Sequence, residues 1–142
     1  MTAANVLVTG ATGFVGVHLV ARLLSEGDSV TVLVRSSSVL PAEWRDRVSI
    51  VVCDDFSEKN LRQLLADPFE AVFHLAAYGV MPNQRDIDEI LRINIEMPAV
   101  LVRLCAKWRS RMVMTALSGL SKPRYELPSS DGKICSLSSW FA

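Results

Sequence analysis

The sequence predicts a three-layer α/β fold with a parallel five-stranded sheet in the order 3-2-1-4-5. Three observations lead to this prediction. The first apolar runs, NVLVT and VTVLV, are continuous and β-branched, as in strands that helices cover on both faces. Segments with helical periodicity alternate with such runs, which implies right-handed βαβ units. A glycine-rich turn follows the first run, at the edge where open α/β sheets bind ligands.

The individual elements follow from the same patterns. Apolar, β-branched runs predict strands at residues 5–9, 30–34, 48–52, 71–76 and 111–115. Apolar residues with a helical period predict helices at 14–25, 58–66 and 86–108, while 36–46 is a loop or a short helix. Gly27 is a plausible C′ glycine for the first helix, and Ser57 is a cap for the second. Pro98 lacks a backbone donor and should kink the third helix.

The chain changes character near residue 116. We expect residues 1–116 to form the α/β domain and residues 117–142 to form an irregular tail. The last 25 residues hold seven serines and show neither a helical nor a strand period. The fold is therefore predicted to be incomplete, and one hypothesis is that the gene is truncated or frame-shifted near residue 116.

Composition excludes several classes of function. Lys and Arg total 15, as do Asp and Glu, so no net field recruits nucleic acid or an anionic membrane. No apolar run approaches the roughly 18 residues of a membrane span. The three cysteines, Cys53, Cys105 and Cys135, are scattered and form neither a disulfide framework nor a metal site. Their arrangement favours a reducing compartment, and we expect a cytoplasmic protein.

The stretch VLVTGATGFVG, residues 6–16, carries glycines at Gly10, Gly13 and Gly16. Between a strand and a helix, one glycine allows a tight turn, one lets a phosphate approach the backbone, and one lets the helix pack closely. The N–H groups and the dipole at the helix start then attract the phosphate. This pattern favours the pyrophosphate of a dinucleotide, and the alternative is a glycine-rich turn without a ligand.

Four motifs in chain order resemble one superfamily. They are TGATGFVG, then Cys53-Asp54-Asp55 after the third strand, the run 73–77 (FHLAA), and Ile93-Asn94-Ile95. Together they resemble the extended short-chain dehydrogenase/reductase superfamily, with its nucleotide-sugar epimerases and dehydratases, over about residues 5–115. The resemblance implies a Rossmann-type fold, an NAD(P) cofactor, a possible nucleotide-sugar substrate and a possible homodimer.

The resemblance also implies a set of cofactor-binding residues. Asp54 would accept from the adenine amino group, and Asp55 would donate through its backbone, although both acids could instead cap the following helix. Asn94 would support the active site, or face a neighbouring loop. The full predicted set is Gly10, Thr12, Gly13, Phe14, Val15, Gly16, Arg35, Asp54, Asp55, Leu75, Ala76, Ala77 and Asn94.

The end of the second strand bears on the choice between NAD and NADP. An acid there commonly accepts from the ribose 2′-OH of NAD, but Val34 occupies that position and Arg35 follows. An arginine forms charge-assisted contacts with phosphate, so the sequence favours NADP. The alternative for Arg35 is a solvated charge at a strand end.

The sequence predicts no catalytic residue. The superfamily uses a Tyr-x-x-x-Lys pair and a hydroxyl after the fifth strand, yet Tyr78 and Tyr125 have no such lysine, and Ser118 is displaced. We interpret His18 and His74 as structural. The leading hypothesis is the dinucleotide-binding part of an epimerase/dehydratase-like enzyme, catalytically incomplete as this chain. The alternatives are a non-catalytic NAD(P)-binding sensor or partner-binding module, and a remnant that folds poorly.

Overall fold

The computed structural model describes residues 3–115, and the predicted tail lies outside these residues. The predicted sheet is confirmed: five parallel strands lie in the order β3-β2-β1-β4-β5. The strands are β1 (Asn5–Thr9), β2 (Ser29–Val34), β3 (Ser49–Val52), β4 (Ala71–His74) and β5 (Arg111–Met114). The helices are α1 (Phe14–Ser25), α2 (Glu58–Leu64), α3 (Ile87–Leu91) and α4 (Met97–Trp108), with a 3₁₀ turn at Ala42–Trp44.

Two hydrophobic cores lie on opposite faces of the sheet because side chains alternate along each strand. Leu7 of β1 packs with Leu61 of α2 and Leu101 of α4 on one face. Val8, its neighbour in sequence, packs with Val20 of α1 and the buried Trp44 on the other. The strands have no solvated face at the centre of the sheet, which explains their continuous apolar sequence.

The ends of α1 and α2 follow their predicted capping chemistry. Gly27 has a φ of +86°, its N–H donates to Leu24 O, and the next N–H donates to Leu23 O. This pair of bonds is a Schellman motif, which favours glycine at the left-handed position. Ser57 caps α2 by accepting from the Asn60 backbone N–H.

The helical segment near Pro98 differs from the predicted single helix. It begins as α3, passes through a π-helical turn at Arg92–Glu96 and continues as α4. Pro98 has no N–H to offer the carbonyl of Asn94 four residues earlier, so the regular ladder is interrupted just before the proline. In the part of the chain that the structure describes, no helix is long and apolar enough to cross a membrane.

Candidate functional site

The carboxyl ends of β1, β2 and β4 surround a cavity of about 250 Å³, which we call the first cavity. It lies where the chain order of the sheet reverses between β1 and β4, the position at which open α/β sheets bind ligands. Its lining residues are Thr9, Gly10, Ala11, Thr12, Gly13, Leu33, Val34, Arg35, Ser38, Phe56, Leu75, Ala76, Ala77, Tyr78, Ile93 and Met97.

The three glycines of the turn have different surroundings. Gly10 has a φ of +67°, and a Cβ there would collide with the backbone of Leu75 and Ala76 at the end of β4. A Cβ on Gly16 would collide with the carbonyl oxygens of Gly10 and Ala11. A Cβ on Gly13 would meet only Gly10 O, at 3.3 Å, and Gly13 lines the cavity. Gly10 and Gly16 therefore allow close packing, whereas Gly13 keeps the cavity open.

The start of α1 is suited to an anion. Gly13 is the N-cap residue and makes no side-chain capping bond, and the first turn contains no acidic residue. The first N–H groups of a helix have no partner within the helix, and the dipole makes this end positive. The turn itself is closed by a bond of 3.1 Å from Gly13 N–H to Gly10 O.

Arg35 and Ser38 lie on the first cavity beyond the end of β2. The Ser38 N–H donates to the Arg35 carbonyl at 3.0 Å, which makes the segment a tight turn. Asp54 does not line the cavity; its Oδ1 accepts from the Ser36 N–H at 3.0 Å. The Ser36 N–H and hydroxyl, and to a smaller extent the charge of Arg35, lower the pKa of Asp54. Asp54 is therefore an ionised acceptor beside this turn.

The carboxylate of Asp55 faces the start of α2. It accepts from both the N–H and the hydroxyl of Ser57, each at 2.9 Å, and these bonds lower the pKa of Asp55. The arrangement matches the capping alternative for this side chain. The role predicted for Asp55 uses its backbone N–H, which these bonds leave unengaged.

The residues that follow β4 form the opposite wall of the first cavity. β4 ends at His74, two residues earlier than the sequence predicts. The Leu75 N–H still donates to Thr9 O of β1 at 3.0 Å, and Leu75, Ala76 and Ala77 line the cavity. Tyr78 follows them. Its backbone is held by Asn94 of the π turn, which accepts from the Tyr78 N–H at 3.0 Å and donates to its carbonyl at 2.7 Å. Asn94 thus holds the loop after β4, in agreement with the alternative that this residue faces a neighbouring loop.

The predicted site residues therefore divide into two groups. Gly10, Thr12, Gly13, Arg35, Leu75, Ala76 and Ala77 meet at the first cavity, whereas Phe14, Val15, Gly16, Asp54, Asp55 and Asn94 do not line it. Sequence reasoning missed Ser38 and the apolar wall of Phe56, Ile93 and Met97. The serines that directly follow Arg35 could have indicated that a hydroxyl such as that of Ser38 lies at the site. Nothing in the local sequence distinguishes Phe56 or Met97 from ordinary core residues, and Ile93 enters the sequence prediction only as part of the motif around Asn94.

A second cavity of about 230 Å³ lies between the ends of β4 and β5. It is lined by His74, Ala76, Ala77, Asn94, Pro98, Met114 and Thr115, so two alanines are shared with the first cavity. Ser118 and Tyr125 lie outside the described residues. Among residues 3–115, no three His, Cys, Asp or Glu side chains are grouped as metal ligands.

His74 is a buried histidine, as the sequence suggested. It is 2% exposed, and its Nδ1 lies 2.7 Å from Thr9 Oγ1. Burial lowers the pKa of His74 from 6.5 to about 4. Below pH 6.5 the unfolded chain therefore binds a proton at this residue, and the folded protein does not until about pH 4.

We expect this difference to make stability depend on pH. The free energy of unfolding is not reduced by His74 above pH 6.5. As the pH falls toward 4, protonation of His74 in the unfolded chain lowers this free energy by about 3 kcal/mol. Urea unfolding at pH 7, 6 and 5 measures it, since carboxylates of the unfolded chain titrate mostly below pH 5. His74→Gln should flatten this slope, and His18→Gln, at an exposed site, should retain it. An equal slope in the His74 variant would contradict the prediction.

The parallel sheet, the glycine turn and the cavity where the strand order reverses define a dinucleotide-binding Rossmann domain. The chain belongs to the NAD dependent epimerase/dehydratase family, whose model matches residues 6–125. The match confirms the resemblance inferred from the four motifs. It also continues past residue 115, where we expected the resemblance to stop.

Individual relatives agree with this assignment. D-erythronate dehydrogenase of Cupriavidus necator is 34% identical over 110 residues, which are 71% of this chain and 34% of that protein. MoeE5 in complex with UDP-glucose and NAD is 32% identical, with a TM-score of 0.67 over 94% of this chain and 43% of that one. The UDP-glucose 4-epimerase of Thermotoga maritima, at 24% identity, is similar in fold, with a TM-score of 0.72 over 94% of this chain and 45% of that one. The chain spans less than half the length of each.

Proposed function

We propose that the chain binds NADP in the first cavity, with the pyrophosphate at the start of α1. The observation that carries the proposal is Gly13, an uncapped helix start that faces the cavity and has no side chain to fill it. Phe14, Val15 and Gly16 then contribute through their backbone N–H groups, so their role requires no side chain at the cavity. Thr12, exposed on the rim, adds a hydroxyl near the same phosphates.

The other site residues have roles along the cofactor. Leu75, Ala76 and Ala77 provide a wall of small or apolar side chains against which the dinucleotide lies. Asp54 accepts from the adenine amino group through its carboxylate, and Asp55 donates its backbone N–H to the adenine ring. Asn94 acts indirectly, because it holds the backbone of Tyr78 at the cavity.

The preference for NADP rests on Arg35 and Ser38. Both line the end of the first cavity beyond β2, where Val34 offers no acceptor for a ribose 2′-OH. A guanidinium and a hydroxyl are donors that suit a 2′-phosphate. Asp54 acts against this preference, since its charge lies beside Arg35, and it limits the gain.

We expect wild type to bind NADP about 10-fold to 100-fold more tightly than NAD, since a hydrogen bond to a charged group contributes roughly 1.5–3 kcal/mol. The exposure of Arg35 favours the lower value. Calorimetric titration of both cofactors measures the ratio. Arg35→Ala should abolish the preference, whereas Arg45→Ala, at an exposed arginine that does not line the cavity, should keep it. Equal affinities in wild type would disprove the NADP assignment and leave a general NAD(P) site.

For the enzyme as a whole we propose a nucleotide-sugar substrate of the epimerase/dehydratase type. MoeE5, which binds UDP-glucose and NAD, is the relative that supports this class. These 142 residues contain no Tyr-x-x-x-Lys pair, so we propose that the chain supplies cofactor binding and lacks the proton-transferring pair. A non-catalytic NAD(P) sensor would use the same cavity without the substrate.

We also propose that the protein works in a reducing compartment such as the cytoplasm. Cys53 and Cys105 are free, buried thiols within the described residues. Burial raises the pKa of both, and the nearby Asp55 raises that of Cys53 further. Both are therefore held as protonated core side chains, without a disulfide role.

A further inference from the structure

A pair of buried side chains separates the two cavities. Thr9, at the end of β1, lines the first cavity, and His74, at the end of β4, lines the second. They are 0% and 2% exposed, and Thr9 Oγ1 lies 2.7 Å from His74 Nδ1. Since Ala76 and Ala77 border both cavities, one ligand or two adjoining ligands can extend across this wall.

The hydrogen bonds around Thr9 assign the tautomer of His74. The Ala76 backbone N–H donates to Thr9 Oγ1 at 3.4 Å, so the oxygen accepts there. The oxygen could accept a second time, but among the described residues the acceptor that lies within hydrogen-bond distance of the Thr9 hydroxyl is His74 Nδ1, so we assign the hydroxyl proton to this bond. A neutral imidazole that accepts at Nδ1 carries its proton on Nε2. With Nδ1 engaged by Thr9, the polar group that His74 can offer to the second cavity is an N–H donor.

We propose that His74 is a ligand-positioning residue that donates from Nε2 to an uncharged oxygen of a ligand in the second cavity. The described residues that line this cavity include no Asp, Glu, Lys or Arg, which disfavours a phosphate or carboxylate. A carboxamide, carbonyl or hydroxyl oxygen has the matching chemistry. Two sources supply one: the nicotinamide carboxamide of a cofactor in the first cavity, which rests on the proposed function, and the sugar of a nucleotide sugar.

The nitrogen NMR signals of the two histidines test the assignment directly in the full 142-residue chain. His18 Nδ1 lies 2.8 Å from the Phe14 carbonyl, which only accepts, so His18 carries a proton on Nδ1. The two histidines should therefore show opposite protonation at Nδ1, and His18→Gln assigns the signals. We expect an Nε2–H tautomer for His74 at pH 7. In Thr9→Val, which lacks the hydroxyl donor, a larger share of His74 should carry its proton on Nδ1.

Three probes then distinguish the sources of the oxygen. If the carboxamide is the acceptor, NADP shifts the His74 Nε2–H signal and 2′-phospho-ADP-ribose, which lacks nicotinamide, does not. If the sugar is the acceptor, UDP-glucose shifts it. An Nδ1–H tautomer at His74, or a signal that none of the three probes moves, overturns the proposal. Failure of the proposed function is recognised separately, because the Gly13 amide signal would then be unchanged by NADP.

A matched pair of variants measures the contribution of the donor. His74→Gln keeps an N–H donor, and His74→Phe removes it. For the ligand that shifts the His74 signal, we expect His74→Phe to weaken binding about threefold to tenfold and His74→Gln to leave it unchanged. Circular dichroism establishes that each variant folds. Equal affinity in wild type and a folded His74→Phe protein contradicts the proposal. If that variant does not fold, the tautomer and the ligand-induced shift of His74 in the wild-type protein still support or overturn it.

Discussion

Gly13→Val is expected to abolish dinucleotide binding while leaving the domain folded. The side chain would enter the first cavity at the start of α1, where we place the pyrophosphate. The backbone conformation suits valine, because Gly13 has a φ of −75° and a ψ of 169°, an extended conformation that β-branched residues adopt readily. The new Cβ would lie 3.3 Å from Gly10 O, which requires only a small shift of the turn. Loss of two charge-assisted bonds to phosphate alone should raise the Kd at least about 100-fold.

Calorimetry with NADP, together with thermal melts of the free protein, measures both parts of this prediction. Gly27→Ala is the matched control, since it alters a glycine at the opposite end of α1, and a Cβ there has no neighbour within 4 Å. It should lower stability modestly and leave the Kd unchanged. Unaltered NADP binding by folded Gly13→Val would remove the pyrophosphate assignment and with it the central argument of the proposed function.

Gly10→Ala is expected to have the largest effect on stability. The residue has a φ of +67°, which costs an alanine about 1–2 kcal/mol. Its Cβ would also collide with the backbone of Leu75 and Ala76, which cannot rotate away as a flexible side chain can. Overpacking of this kind costs a further 1–3 kcal/mol, for a total of about 2–5 kcal/mol. The expected loss is a large part of the stability of an ordinary domain.

Gly27→Ala separates these two contributions, because its φ of +86° imposes the same kind of backbone strain without a collision. Urea unfolding of both variants should show a Gly10→Ala loss that exceeds the Gly27→Ala loss by at least about 1 kcal/mol. Equal losses would mean that the end of β4 moves away freely from the turn, and the contact between β1 and β4 would then be looser than the structure indicates.

The strands, their alternation with helices and the place of the ligand edge were predictable from local sequence, and the strand order followed from the fold type that this alternation indicates. Runs such as VTVLV are apolar throughout because helices cover both faces of the sheet, and a glycine turn after the first strand is a feature of neighbouring residues. The same holds for Gly27 and Ser57, whose capping bonds join residues only a few positions apart. The π turn was not predictable in its exact place, because Pro98 indicates an interruption but not how the helix accommodates it.

The particular contacts of the site came from distant segments. The glycine pattern indicates a turn, a phosphate-facing and a packing glycine, but the backbone of residues 75–76, which a Cβ on Gly10 would meet, approaches the turn only when β4 lies beside β1. In the same way, Thr9 and His74 are 65 residues apart, and pairing of β1 with β4 brings them into one hydrogen bond. Periodicity and capping are encoded in adjacent residues, so they can be recognised in the chain. The walls of both cavities are built from the ends of separate strands, and they exist only once those strands have paired.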